Sequence, residues 1–261
     1  MLNGIIGIAK RAGDMILERG DFSVKDKGSV SNYVSSVDIA VEEFLKRELL
    51  CIKPEAVFLG EESGGVVNDE EYVFIVDPID GTANFVHNIG ISSVSIALMK
   101  NGAPYIGVVH YPYLDRTFWA QEGEGAFLNG SSIHVSERTT EKSILSIAMS
   151  VYDKRYSKPC FELAEKMIMD CEDMRRLGSA AIELANLGAG FEDIFFEAKL
   201  YPWDYAAAAL IIKEAGGYIG TIYSDKLPYF EASPVIAANT EHNYRLIQSR
   251  ANEIFSKFKP E

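Results

Sequence analysis

From residue 91 to residue 135 the chain runs as short β-branched or aromatic stretches separated by turn residues. "ISSVSIALM", "YIGVVHY" and "TFWAQ" read as strands, while "KNGAP", "YPYLD", "EGEGA" and "LNGSS" carry the Gly, Pro, Asn and Asp that reverse a chain. This pattern predicts an antiparallel meander. Past the polar run "SERTTEK" the rhythm changes. Strands read near 143–149, 173–177, 191–196, 217–222 and 234–238 alternate with helices near 158–170, 179–188, 204–215 and 241–256, which predicts an α/β second half. Ahead of the meander, "MLNGIIGIAKRAGDMILERG" places Ile5, Ile8, Ala9, Ala12 and Ile16 on one side of a helix. "IAVEEFLKRELL" (39–50) repeats the helical spacing with Ala40, Phe44, Leu45 and Leu49. "AVFLG" and "EYVFIVD" read as strands, the second ending at Asp77. The expected class is α/β overall, in two domains: an α+β unit over 1–136 holding the meander, and an α/β unit over 137–261.

With 261 residues, 48% of them hydrophobic, the chain can bury a large core. Its formal net charge of −13 speaks against nucleic acid or an anionic membrane as a partner, since both ask for a basic face. No apolar run approaches the ~18 residues of a membrane span, and the start of the chain lacks a signal-peptide pattern. Cys51, Cys160 and Cys171 are few, distant and odd in number, so neither a disulfide framework nor a zinc site is expected. A soluble, cytoplasmic protein is the simplest reading.

Acidic residues gather where the predicted strands end and helices begin. In "IVDPIDGTANF" (75–85), a buried strand delivers Asp77; Asp80, Gly81 and Thr82 follow, and "ANFVH" reads as a helix start. Carboxylate oxygens of this kind suit a hard cation such as Mg²⁺. Gly81 admits close approach of a ligand, and helix-start N–H groups suit phosphate. The same residues also read as a turn, with Asp80 capping a helix. "LGEES" (59–63) puts Glu61 and Glu62 at another strand end, which taken alone reads better as a solvated acidic turn, and "YPWDYAAAALIIKEAGG" (201–217) puts Asp204 at a helix start, where an N-cap role does not compete with metal binding. Were Glu61, Asp77, Asp80 and Asp204 to meet, each pair ~4 Å apart would repel by about 4 kcal/mol at an effective dielectric of 20, so a cation would be needed among them. The four histidines have no ligand spacing, Ser63 lacks a G-x-S-x-G setting, and no P-loop pattern occurs.

Taken in order, "GEES" (60–63), "DPIDGTANFVH" (77–87), "GSAA" (178–181) and "PWDYAAA" (202–208) resemble the inositol monophosphatase family, within the lithium-sensitive, magnesium-dependent phosphatases that include fructose-1,6-bisphosphatases. The resemblance runs from about residue 5 to residue 250. It implies a layered αβαβα fold, usually a homodimer. It further implies that Glu61, Asp77, Asp80, Asp204 and the carbonyl of Ile79 are ligands of two to three Mg²⁺ ions, the third and weakest near Glu61. Thr82 matches the threonine that helps activate water, and Asp38 the aspartate paired with it. Glu197 aligns with a glutamate that holds inositol hydroxyls. Ser179 and Ala180 align with backbone lining the substrate pocket, and Ile79, Asp80, Gly81, Thr82 and Asp204 complete the substrate contacts. Asn32 and Ser35 stand where many members carry aspartate and threonine, which leaves the hydrogen-bond setting of Asp38 open. Lys27 matches a lysine on the same loop.

The reaction this resemblance implies is hydrolysis of a phosphate monoester, with inositol monophosphate the first expectation from "ANFVH" and Glu197. A sugar bisphosphate, for which Arg175, Arg176 and Lys199 could hold the second phosphate, is an alternative, as are histidinol and nucleotide phosphates. A non-catalytic homologue that binds Mg²⁺ and phosphate is a further class; the presence of both Thr82 and Asp38 speaks for the enzyme.

Overall fold

The protein is described by a computed structural model that covers residues 1–26, 33–67, 70–149 and 153–258. Seven strands form the first sheet: β3 (Val57–Gly60), β4 (Tyr72–Asp80), β5 (Ser93–Lys100), β6 (Ala103–Tyr111), β7 (Arg116–Gln121), β8 (Ala126–Leu128) and β9 (Ser131–Ile133), in that order. β3 and β4 are parallel, and every later pair is antiparallel, so the meander expected over 91–135 is present. The second sheet has five strands, β10 (Ile144–Ala148), β11 (Asp173–Arg175), β12 (Ile194–Leu200), β13 (Tyr218–Gly220) and β14 (Ser233–Ala238), in the order β11-β10-β12-β14-β13. It is mixed: β10 runs parallel to β11 and β12, whereas β14 is antiparallel to both of its neighbours. A small sheet of β1 (Val24–Asp26) and β2 (Tyr33–Ser35) precedes the second helix, inside a stretch whose polar composition gave no strand signal.

Helices alternate with the sheets in layers. Helices α1 (Leu2–Glu18) and α2 (Ser36–Ile52) cover the outer face of the first sheet. On α1 the buried stripe is the expected one, Ile5, Ile8, Ala9, Ala12 and Ile16. On α2 it differs: Ala40 is exposed, and the buried face is Asp38, Val41, Glu42, Leu45 and Leu49. Between the sheets lie α5 (Ala180–Gly188) and α6 (Pro202–Glu214), and α4 (Ser157–Ile168) and α7 (Glu241–Phe255) close the far side, with the five-residue α3 (Thr82–Val86) following β4. The result is the expected αβαβα order. From Tyr205 to Ile212 every side chain of α6 is buried, as a helix enclosed on all sides requires. Its alanines at 206–209 let both sheets approach, and its N-terminus is thereby aimed at the end of β4. The largest core cluster draws on residues from both sides of position 136. Among the described residues no helix is long and apolar enough to cross a membrane.

Candidate active site

β4 does not stop at Asp77 but continues to Asp80. Side chains of a regular strand alternate, so residues three apart would face opposite sides of the sheet. Pro78 cannot donate to the ladder, and the register with β5 shifts between Asp77 (opposite Ser95) and Asp80 (opposite Ser93). That irregularity brings both carboxylates to one place, where α6 contributes Asp204. One oxygen from each of Asp77, Asp80 and Asp204 lies within 4.8 Å of the others.

Each carboxylate is held by neighbours. Asp77 Oδ1 accepts the backbone N–H of Ile79 at 2.9 Å. Asp80 Oδ2 accepts the Ala181 N–H at 2.8 Å and the Ser179 hydroxyl. Asp204 Oδ2 accepts the Tyr201 N–H at 2.7 Å, so the carboxylate stands in the first turn of α6 and Tyr201 is the N-cap residue. Asp80 does not cap the helix that follows it: the N-cap of α3 is Gly81, whose φ of 91° and crowding by the Ile91 and Gly178 carbonyls both exclude a side chain, and the Asp80 carboxylate instead meets the first turn of α5 through Ala181.

Burial is the first cause of the perturbed acidity here. Asp77 is 2% exposed and its carboxyl lies well above the usual range, raised further by the charges of Glu61, Asp80 and Asp204. Asp204 is likewise raised well above it, by burial and then by Asp80 and Glu61. Asp80 is pushed up by burial to about 6, against the opposing hydrogen bonds from Ser179 and Ala181. Two buried carboxylates and a half-buried third, offering only oxygen donors, are costly to ionise together and well matched to a hard divalent cation, so the residues fit the metal site that the sequence suggested. Glu61 lies in the turn after β3, with its N–H donated to Val76 O at 3.1 Å; it stands outside the trio but close enough to raise all three.

Beside the cluster, Thr82 Oγ1 is 3.2 Å from Asp38 Oδ1 and 3.1 Å from the Ile79 carbonyl. Asp38 is buried, in the first turn of α2 rather than just ahead of it, and burial raises its pKa. Ser35 is the N-cap of α2, and both its N–H (2.9 Å) and its hydroxyl donate to Asp38 Oδ2. The substitution at Ser35 thus leaves Asp38 fully partnered. Asn32 and Lys27 lie outside the described residues.

A cavity opens in front of Asp80 and Asp204. Gly81, Ala180, Glu197, Arg176, Lys199 and Glu183 line it too. Ser179 stands behind Asp80, with its hydroxyl on the carboxylate, where the sequence suggested only a backbone role. Arg175 is on β11, exposed and paired with Asp173. Glu183 was not singled out from the sequence. It is buried, its carboxyl pushed up to about 8, and it accepts the Leu177 N–H at 2.8 Å, holding the segment that carries Arg176 and Ser179. A lone charge inside a helix otherwise uncharged and mostly apolar, "AAIELANLG", was the available signal.

The profile of the inositol monophosphatase family matches residues 1–254. The chain belongs to this family. It is 31% identical to Nus factor SuhB of Escherichia coli (strain K12), over 99% of this chain and 98% of that protein. It is 37% identical to a fructose-1,6-bisphosphatase/inositol-1-monophosphatase of Thermotoga maritima, over 78% and 77% of the two chains. The solved structure of an IMPase from Thermotoga maritima superposes with a TM-score of 0.87 at 31% identity, covering 97% of each chain. The layered sheets described above match those of inositol monophosphatase family structures.

The acidic cluster makes a stability prediction. Between the ordinary 3.8 and about 6, folded Asp80 holds a proton that the unfolded chain has lost, so stability must fall as pH rises through that window. Asp77 and Asp204, whose carboxyls burial also raises, add to the fall in the same direction. Metal-free melting temperature is expected to drop by several degrees from about pH 4 to neutrality, and Mg²⁺ should reverse the drop at neutral pH. Thermal melts with EDTA and with Mg²⁺ measure both effects; an equally steep fall in an Asp80→Asn variant would remove Asp80 as its cause.

Proposed function

We propose that the protein is a magnesium-dependent phosphoric monoester hydrolase acting on inositol monophosphate or a closely similar polyol phosphate. The observation that carries this reading is the convergence of Asp77, Asp80 and Asp204 beside the Thr82–Asp38 pair, at the mouth of a cavity containing Glu197.

Asp77, Asp80 and Asp204 would hold one ion, and Glu61, Asp77 and the Ile79 carbonyl another. When bound, the ions supply Lewis acidity toward the phosphoryl oxygens and acidify water in the site. The remaining work belongs to the chain. Thr82 has one hydroxyl proton and two acceptors within reach. Donated to Asp38 Oδ1, that proton leaves the Thr82 oxygen a lone pair with which to orient a water; a cation on the Ile79 carbonyl would favour this direction over the other. Ser35 holds Asp38 in position to receive it. The N–H groups of Gly81 and Thr82, at the turn into α3, serve the phosphate oxygens. Glu197 accepts hydroxyls of the polyol, and Ala180 borders the ring. Arg176 and Lys199 line the same cavity and favour an anionic ester.

The test is phosphate release from a panel of esters: inositol 1-phosphate, fructose 1,6-bisphosphate, histidinol phosphate and nucleoside monophosphates. Inositol 1-phosphate is expected to give the highest kcat/KM, with turnover lost in EDTA and inhibited by lithium. Release unaffected by EDTA would overturn the metal assignment, and a preference for the bisphosphate would move the substrate. Absence of turnover on every ester, with Mg²⁺ binding intact, would favour a binding role of the kind suggested by the name of the Escherichia coli relative.

A further inference from the structure

Glu42 lies on the buried face of α2, one helical turn beyond Asp38, and is 3% exposed. A carboxylate is costly to bury without partners. Among the described residues its partners are backbone groups of the loop that carries Glu61: Oε2 accepts the Glu62 N–H at 2.8 Å, and Oε1 accepts the Ser63 N–H at 2.7 Å. Both oxygens are thus spent on two consecutive amides immediately after Glu61. The Glu61 N–H itself is held by Val76 O of β4. Three successive amides of the turn are therefore fixed, one by the strand of Asp77 and two by Glu42. The absence of a side chain at residue 60 belongs to the same arrangement, because a Cβ there would clash with the Glu42 carboxylate. Residues 38 and 42 share a helix face. One rigid helix therefore sets both the partner of Thr82 and the backbone of Glu61.

We propose that Glu42 is a positioning residue for metal binding: its carboxylate clamps the 61–63 turn so that the Glu61 side chain is aimed at the ion next to Asp77. This rests on the metal-dependent reading of the site. These two hydrogen bonds tie that turn to α2, and a ligand on a short surface turn loses affinity when its backbone is free to move.

The experiment is a Mg²⁺ titration by calorimetry, alongside steady-state kinetics, on the parent, Glu42→Gln, Glu61→Gln and the double variant. Glutamine keeps the shape but places an amide donor against one of the two N–H groups. Glu42→Gln is expected to weaken Mg²⁺ binding about tenfold, to raise the Mg²⁺ needed for half-maximal turnover by a similar factor, and to leave KM for the ester within about twofold at saturating Mg²⁺. The exposed neighbour change Glu43→Gln should alter none of these. In the Glu61→Gln background, removing Glu42 should cost little more, because both act through one interaction. A purely structural role would instead lower the melting temperature and add fully in the double variant. Gly60→Ala, whose methyl would crowd the Glu42 carboxylate and also the Phe58 ring without changing either acid, should reproduce the weakened binding and is measured in parallel in case Glu42→Gln folds poorly. Parent-like Mg²⁺ affinity in folded Glu42→Gln or in Gly60→Ala overturns the role of Glu42. Failure of the parent protein to bind Mg²⁺ overturns the metal reading itself.

Discussion

Asp80→Asn is expected to reduce phosphate release by at least about a thousandfold, some 4 kcal/mol of barrier, while the protein stays folded. The two consequences come from different atoms. Oδ2 of Asp80 accepts the Ala181 N–H and the Ser179 hydroxyl. An asparagine carbonyl can keep both hydrogen bonds, so the junction between β4 and α5 survives. The other atom becomes an amide group, which is neither anionic nor a donor of a lone pair to a cation. One of three converging charges is also removed, which relieves Asp77 and Asp204. Metal-free Asp80→Asn should therefore melt no lower than the parent, and Mg²⁺ should no longer raise its melting temperature. Turnover within tenfold of the parent, or an undiminished Mg²⁺ stabilisation, would remove Asp80 from the ion site.

Thr82→Ala is expected to lower kcat by about 10²–10⁴-fold, the range for loss of a positioned proton acceptor or donor, with KM and Mg²⁺ affinity little changed. Thr82 touches Asp38 and the Ile79 carbonyl through its hydroxyl alone. Alanine deletes that contact and leaves the short helix α3 in place. Serine retains the hydroxyl and should restore most of kcat. Because the hydroxyl acts through Asp38, an Asp38→Asn change made on top of Thr82→Ala should cost far less than it does in the parent. Full additivity of the two changes, or parent-like kcat in Thr82→Ala, would place the water-activating pair elsewhere.

Much of the fold was legible because it is local. The stripe Ile5, Ile8, Ala9, Ala12 and Ile16 needs only the helical period, and the meander needs only alternation and turn residues. The buried stripe of α2 was misjudged at Ala40, because the helix turns two acidic residues inward. Asp38 and Glu42, at helical spacing among Val41, Leu45 and Leu49, were the signal, and they are buried because backbone amides and hydroxyls meet them. The β1–β2 ribbon carried no signal, since strands of three residues each are too short for apolar alternation to show.

The candidate site divides in the same way. Residue order alone supplies the chemistry: a strand ending in two aspartates around a proline, a glycine before Thr82, and an aspartate at the start of an alanine-rich helix. These are properties of neighbouring residues. Their meeting is the work of the fold. The register shift at Pro78 turns Asp77 and Asp80 to one side, and the burial of α6 between two sheets carries Asp204 to them. It also supplied partners remote in the chain: Ser179, 99 residues from Asp80, and Glu42, 20 residues from the Glu62 amide that it holds. The physical reason is that hydrogen bonding and desolvation depend on distance in space. Residue order constrains that distance within a turn or a hairpin, and loses its hold once the chain has crossed from one sheet to the other.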